Sequence, residues 1–156
     1  MRAISLWQPW ASLIALGHKT IETRHWYTDY RGPLAIHAAK RNPEMPGMRF
    51  RWALEKCGLV FEDFYRSLPR GAIVAYCELL NCIRMDNSNI ALVSKTNRAF
   101  GNYAPGRFMW TLGRIRALHD PIPFRGSQGF FYFDAPFYGR DALGVPVQVA
   151  MPRLLT

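Results

Sequence analysis

Two periodicities divide the chain. Alternating runs at residues 4–6, 20–24, 34–38, 72–85, 107–118 and 130–133 read as strands, because successive strand side chains point to opposite faces. In the third run Leu34, Ile36 and Ala38 take one face, and Ala35, His37 and Ala39 take the other. Helical spacing governs residues 10–16, 48–56 and 61–68. Pro9 suits the start of the first helix and Gly17 its end, while Gly58 and Pro69 close the other two. Residues 40–46 predict a basic, Pro-containing loop. Residues 86–103 hold Asn87, Asn89, Asn97 and Asn102 and predict a polar loop with one turn of helix. Pro121 to Gly129 predicts a Pro/Gly loop carrying Arg125, Ser127 and Gln128, and a weak alternation returns at 145–149. Strand, helix, strands, two helices and strands predict an α+β fold. Its sheet is mostly antiparallel, and this many strands favour a β-barrel with helices packed around it.

Length changes the picture little: 156 residues suit a single domain over 1–156 with a real core. An apolar fraction of 49% excludes a disordered chain. No apolar run approaches the roughly 20 residues of a membrane span, and the N-terminus lacks a signal-peptide pattern. No membrane partner is expected. Cys57, Cys77 and Cys82 form no disulfide framework, being odd in number with no Cys-x-x-Cys. Cys77 and Cys82, five apart on one predicted strand, are expected on opposite faces. All three read as reduced and mostly buried, which fits a cytoplasmic protein. His18, His25, His37 and His119 show no zinc-ligand spacing, so neither metal nor other cofactor is expected.

Charge changes it more. The net charge is +9, and 16 of the 20 basic residues are Arg. A guanidinium pairs with phosphate oxygens and stacks on bases. A basic, aromatic-rich small domain therefore suggests an anionic partner, with nucleic acid first. The plainer alternative is charge that only aids solubility. The Arg residues are scattered from Arg2 to Arg153, so any patch has to come from folding.

The densest chemistry is Gly17-His-Lys-Thr-Ile-Glu-Thr-Arg24, where a helix turns into a strand. Thr20, Glu22 and Arg24 share one strand face, and Lys19, at the turn, can swing toward Glu22. An exposed edge strand with a surface ion pair worth about 0–1 kcal/mol is the plainer reading. Trp7 and Trp10 are either core or the walls of a cleft, with Gln8 beside them as an adaptable donor and acceptor. His37 is flanked by small residues; a core imidazole bonded to backbone is the alternative to a catalytic one.

Gly17-x-Lys19-x-x-Glu22-x-Arg24 resembles the signature of the ASCH (activating signal cointegrator homology) domain family, whose fold is similar to PUA. The lead-in Ser5-Leu6-x-Gln8-Pro9-Trp10-Ala11-Ser12-Leu13 resembles the family as well. So do Trp26-Tyr27-Thr28, Arg31-Gly32, Ala35-Ile36-His37-Ala38-Ala39 and Pro121-Ile122. The resemblance implies a PUA-like β-barrel, a cleft beside the first helix lined by the motif, and RNA or another nucleic acid as ligand. Some members are hydrolases: one is an amidohydrolase of N4-acetylcytidine with a Lys, a Thr and a Glu as its catalytic group, and another is a ribonuclease. Lys19 matches the family lysine, whereas the position of the catalytic Thr holds Glu22.

Two functions follow as expectations. A binding module would use Gln8, Trp10, Lys19, Glu22, Arg24, Trp26, Arg31, His37 and Lys40, with cations on phosphates and rings on bases. A hydrolase would use Lys19 as base, with Glu22 or His37 moving protons.

Overall fold

The computed structural model describes residues 1–41, 46–134, 138–140 and 146–148. In chain order the elements are β1 (Arg2–Leu6), α1 (Trp10–Ala15), β2 (Ile21–Arg24), β3 (Gly32–Ala38), α2 (Met48–Lys56) and α3 (Phe61–Arg66). Then come β4 (Ala72–Arg84), α4 (Asn87–Ala91), α5 (Lys95–Ala99), β5 (Phe108–Pro123), β6 (Phe130–Tyr132), β7 (Tyr138–Arg140) and β8 (Pro146–Gln148). Six strands form one sheet in the order β2-β5-β4-β3-β1-β6, and β7 pairs with β8. Within the large sheet β1 and β3 are parallel and the other neighbours antiparallel. The expected α+β class holds, and the sheet curls into a half-barrel. Its curl is visible in three rings: Phe130 of β6 meets Trp110 of β5 at 5.5 Å and Trp26 at 5.1 Å between centroids.

Helix α1 sits where two cores meet. Ala11 and Ile14 pack onto the sheet with Ile4, Leu34, Leu79 and Trp110. Leu13 packs with Phe50, Leu54, Phe61 and Phe100 of the helical layer. The helix ends as its glycine predicts. Gly17 has φ +78°, its N–H bonds to the Ile14 carbonyl at 2.8 Å, and the His18 N–H bonds to that of Leu13 at 3.0 Å. This double closure turns the chain directly into β2.

Three local expectations need correction. Residues 86–103 carry two short helices rather than one turn, because their polar side chains act as caps. Asp86 accepts from the Asn89 N–H at 2.8 Å, and Ser94 accepts from that of Asn97 at 3.1 Å. Strand β5 continues through Pro121 to Pro123, where a loop was expected. Strand β2 covers only residues 108–111 of β5, so the later half has no neighbour on that side among the described residues. A residue without an N–H is tolerated at such an edge. Cys77 and Cys82 lie in the same apolar cluster, not on opposite faces. A register shift between Leu79 and Asn81 resets the alternation between them. The weak alternation at 145–149 is described only at its centre, in β8; residues 145 and 149 lie outside the described residues, as do 42–45 of the basic loop.

His37 lies at a second irregularity, between Ile36 and His37 of β3. Its ring is packed: Ser5 Oγ is 2.9 Å from Nδ1, and the Phe124 carbonyl is 2.9 Å from Nε2. Burial lowers its pKa, which favours the neutral ring. The chain passes this ring at Gly126, where a Cβ would lie 2.3 Å from Ser5 Oγ and 2.4 Å from His37 Cε1. Gly126→Ala should therefore destabilise the fold by about 1–3 kcal/mol through overpacking. Gly113→Ala meets only the half-exposed Leu80 side chain and should change stability by less than about 0.5 kcal/mol. Thermal unfolding of the two variants separates them; equal losses would show that the ring at Gly126 is free to move.

Candidate functional site

The closed end of α1 delivers Lys19 to the interior. Its backbone N–H bonds to the Leu13 carbonyl at 3.1 Å, and its side chain is 1% exposed. The ammonium lies 3.1 Å from Glu22 Oε2 and donates to the Ile21 carbonyl. Burial lowers the lysine pKa, and Glu22 partly restores it. The other carboxylate oxygen of Glu22 lies 3.2 Å from Arg24 Nε, and Arg24 also donates to the Ser5 carbonyl at 2.9 Å. One carboxylate thus joins a buried ammonium to a partly exposed guanidinium. The plainer reading of this stretch, a solvated ion pair, does not describe it.

Glu22 and Arg24 open into a cleft of about 1140 Å³. Its walls are β2, the end of β1, the start of α1, the N-terminal turn of α2, residues 99–102 at the end of α5 and beyond, and residues 127–130. Trp7, Trp10, Trp26, Phe50 and Phe130 supply rings, and Arg24, His25 and Arg49 supply cations or donors. Trp7 is 53% exposed on the rim.

The segment after β4 is stapled across β2. The Asn97 side chain accepts from the Thr20 N–H at 3.1 Å and donates to Thr20 Oγ1 at 3.2 Å. Thr23 Oγ1 accepts from the Asn102 N–H at 3.0 Å. Three buried polar atoms have no hydrogen-bond partner among the described residues: Arg24 Nε, Tyr103 Oη and Trp110 Nε1. Arg24 is paired with Glu22 by charge, and Trp110 is the cross-strand neighbour of Glu22. The Tyr103 hydroxyl is held well above the usual tyrosine range by burial and by the charge of Glu22.

The nine expected site residues separate. Trp10, Glu22, Arg24 and Trp26 line the cleft. Lys19 lies behind Glu22, not on the surface. Gln8 is fully buried and faces inward: it bonds Ser12 Oγ and the Pro69 carbonyl, each at 2.7 Å, and accepts from the Ser12 N–H at 3.0 Å. It pins the first turn of α1. Arg31 folds back onto the Thr28 and Tyr30 carbonyls at 3.0 and 2.8 Å. His37 is 3% exposed and committed to Ser5 and Phe124. Lys40 is exposed, but it packs beside Gly71, away from the cleft. Gln8, Arg31, His37 and Lys40 are near the motif in sequence but do not line the cleft, because the first three side chains are committed to other partners and Lys40 lies beside Gly71.

Sequence reasoning missed Arg49, Asn102, Tyr103 and Trp110. The last three lie about eighty residues beyond the motif, and no spacing rule connects them to it. Arg49 had a faint signal, as a cation at the start of a predicted helix.

The sequence model of the ASCH domain matches residues 4–108. Activating signal cointegrator 1 of Homo sapiens and that of Mus musculus are each 34% identical over 83 residues, which is 51% of this chain. The match covers only 14% of either relative. Among solved structures, ASCH from Zymomonas mobilis superposes with a TM-score of 0.52 at 16% identity, covering 85% of this chain and 87% of that one. A mutant of that same protein gives 0.52 at 15% identity, covering 85% and 89%. At such identity the structural likeness speaks for the fold alone. Fold and signature agree with the match that spans β1 to the start of β5: the chain belongs to the ASCH domain family.

Proposed function

We propose that this protein binds single-stranded nucleic acid, RNA in the first place, or a modified nucleotide, in the cleft between β2 and the α2–α5 layer. The observation that carries the reading is the lining itself. Exposed or half-buried indole and phenyl rings alternate there with Arg24 and Arg49 above an anchored carboxylate. Bases stack on such rings without needing a particular sequence, and guanidinium groups neutralise phosphates. Glu22 is an acceptor on the cleft floor, suited to an amino group of a base edge. The ASCH family membership supports the same reading.

Trp7 gives the cleanest test, since its exposure leaves it little part in the core. Trp7→Ala should weaken binding of a labelled single-stranded RNA by about 1–3 kcal/mol, the cost of one lost base stack. Its melting temperature should stay unchanged. Wild-type affinity should fall with salt, log Kd changing by about 0.7 for each phosphate contacted per decade of salt. Fluorescence anisotropy measures both; a flat salt titration, or no binding to any single strand at low salt, contradicts the reading.

A second reading rests on Lys19, whose lowered pKa beside Glu22 is what a general base needs. In a hydrolase of the ASCH type, acting on N4-acetylcytidine or RNA, the neutral amine is the active form. The rate would then rise as pH climbs through the lowered pKa of Lys19 and be lost in Lys19→Met. Turnover assays with acetylcytidine and with single-stranded RNA check it; a rate that falls with rising pH, or that survives in Lys19→Met, excludes Lys19 as base.

A further inference from the structure

A second groove, of about 380 Å³, adjoins the cleft, and Arg49 lines both. Its remaining walls are Trp52, Lys95 and Arg98. Its composition follows from helix geometry. Arg49 and Trp52 stand three apart on α2, and Lys95 and Arg98 stand three apart on α5, so each pair shares a helix face. The two helices pack against each other, which brings both faces to one seam. No Asp or Glu lines the groove, and Arg49, Lys95 and Arg98 make no ion pair among the described residues. Trp52 is 43% exposed, with the Lys56 ammonium 5.9 Å from its ring. Cations gathered around an exposed indole repel one another, and a bound anion relieves that repulsion.

Resting on the cleft as a nucleic-acid site, we infer that the groove receives the same strand as it leaves the cleft. The ligand is then an oligonucleotide, not a lone nucleotide. Arg49 marks the crossing from one site to the other. Lys95 and Arg98 take the next phosphates, and Trp52 offers a face to one further base. The scattered Arg residues of the sequence become a track here, and α5 is fixed to the motif strand through Asn97 and Thr20. Cleft and groove therefore keep their spacing. A free phosphate or an acidic peptide would satisfy the cations as well, but neither accounts for the indole beside them or for the residue shared with the cleft.

The test compares ligand length in wild type and in the double variant Lys95→Ala/Arg98→Ala. One probe is a labelled single-stranded RNA of about ten nucleotides, within the range a small single-strand site spans. The other is a trinucleotide of the same composition that only the cleft can hold. Wild type should bind the longer RNA at least about tenfold more tightly. The double variant should lose about tenfold on the longer RNA, with a salt slope reduced by about 1.4 for two lost phosphate contacts. Trinucleotide affinity and melting temperature should be unchanged. Trp52→Ala should weaken only the longer RNA and leave the slope intact. If the longer RNA binds no better than the trinucleotide, or the double variant loses nothing, the track is wrong while the cleft stands. Failure of both RNAs to bind wild type would overturn the cleft and the track together.

Discussion

Everything at this site depends on burying one ammonium. Lys19 is taken out of water completely, and a lone buried charge would cost several kcal/mol. Glu22 makes the burial tolerable at 3.1 Å, and the Ile21 carbonyl takes a further donor. The second oxygen of Glu22 is then left to face Arg24. The ion pair is no simple source of stability, since desolvation offsets much of the attraction. Its effect is positional: it fixes the carboxylate on the cleft floor and aims the guanidinium across to Ser5 on β1. Removing Glu22 would leave the Lys19 ammonium buried without its opposite, which typically costs about 3–5 kcal/mol.

The surrounding fold holds this arrangement from two sides. On one side, the double closure around Gly17 sets where the chain leaves α1 and therefore where Lys19 enters. On the other, the excursion from Asp86 to Tyr103 lies over β2 and is tied to it through Thr20 and Thr23. Thr20, at the entry to β2, and Thr23, within it, hold the segment whose residues 99–102 form the far wall of the cleft. The aromatic cluster of Trp26, Trp110 and Phe130 draws the sheet into its curl and brings residues 127–130 to the same opening.

The sequence made the local architecture legible where one residue decides it. Gly17 ends a helix, alternation marks β2 and β3, and Met48–Lys56 has helical bounds that match the structure. The carboxylate between two cations was legible for the same reason, since Lys19, Glu22 and Arg24 are close in the chain. What failed were inferences that needed tertiary context. Asp86 and Ser94 read as loop formers because capping residues and loop residues are the same types. Cys77 and Cys82 were assigned to opposite faces because a bulge leaves no mark in the alternation. Gln8 looked available because nothing local announces Pro69 as its partner, whereas His37 follows the alternative of a core imidazole bonded to backbone, at Phe124. The cleft residues after β4 were invisible because long-range packing brings them there.

The protonation of Lys19 is the most direct measure of this account. Its side-chain nitrogen can be followed by NMR across alkaline pH in the wild type and in Glu22→Gln. Burial should hold its pKa below the ordinary 10.5 of lysine in the wild type. Loss of the Glu22 charge, with Arg24 still nearby, should lower it further. Ordinary titration in both proteins, with no response to the substitution, would mean that Lys19 is solvated and that no buried junction supports the cleft.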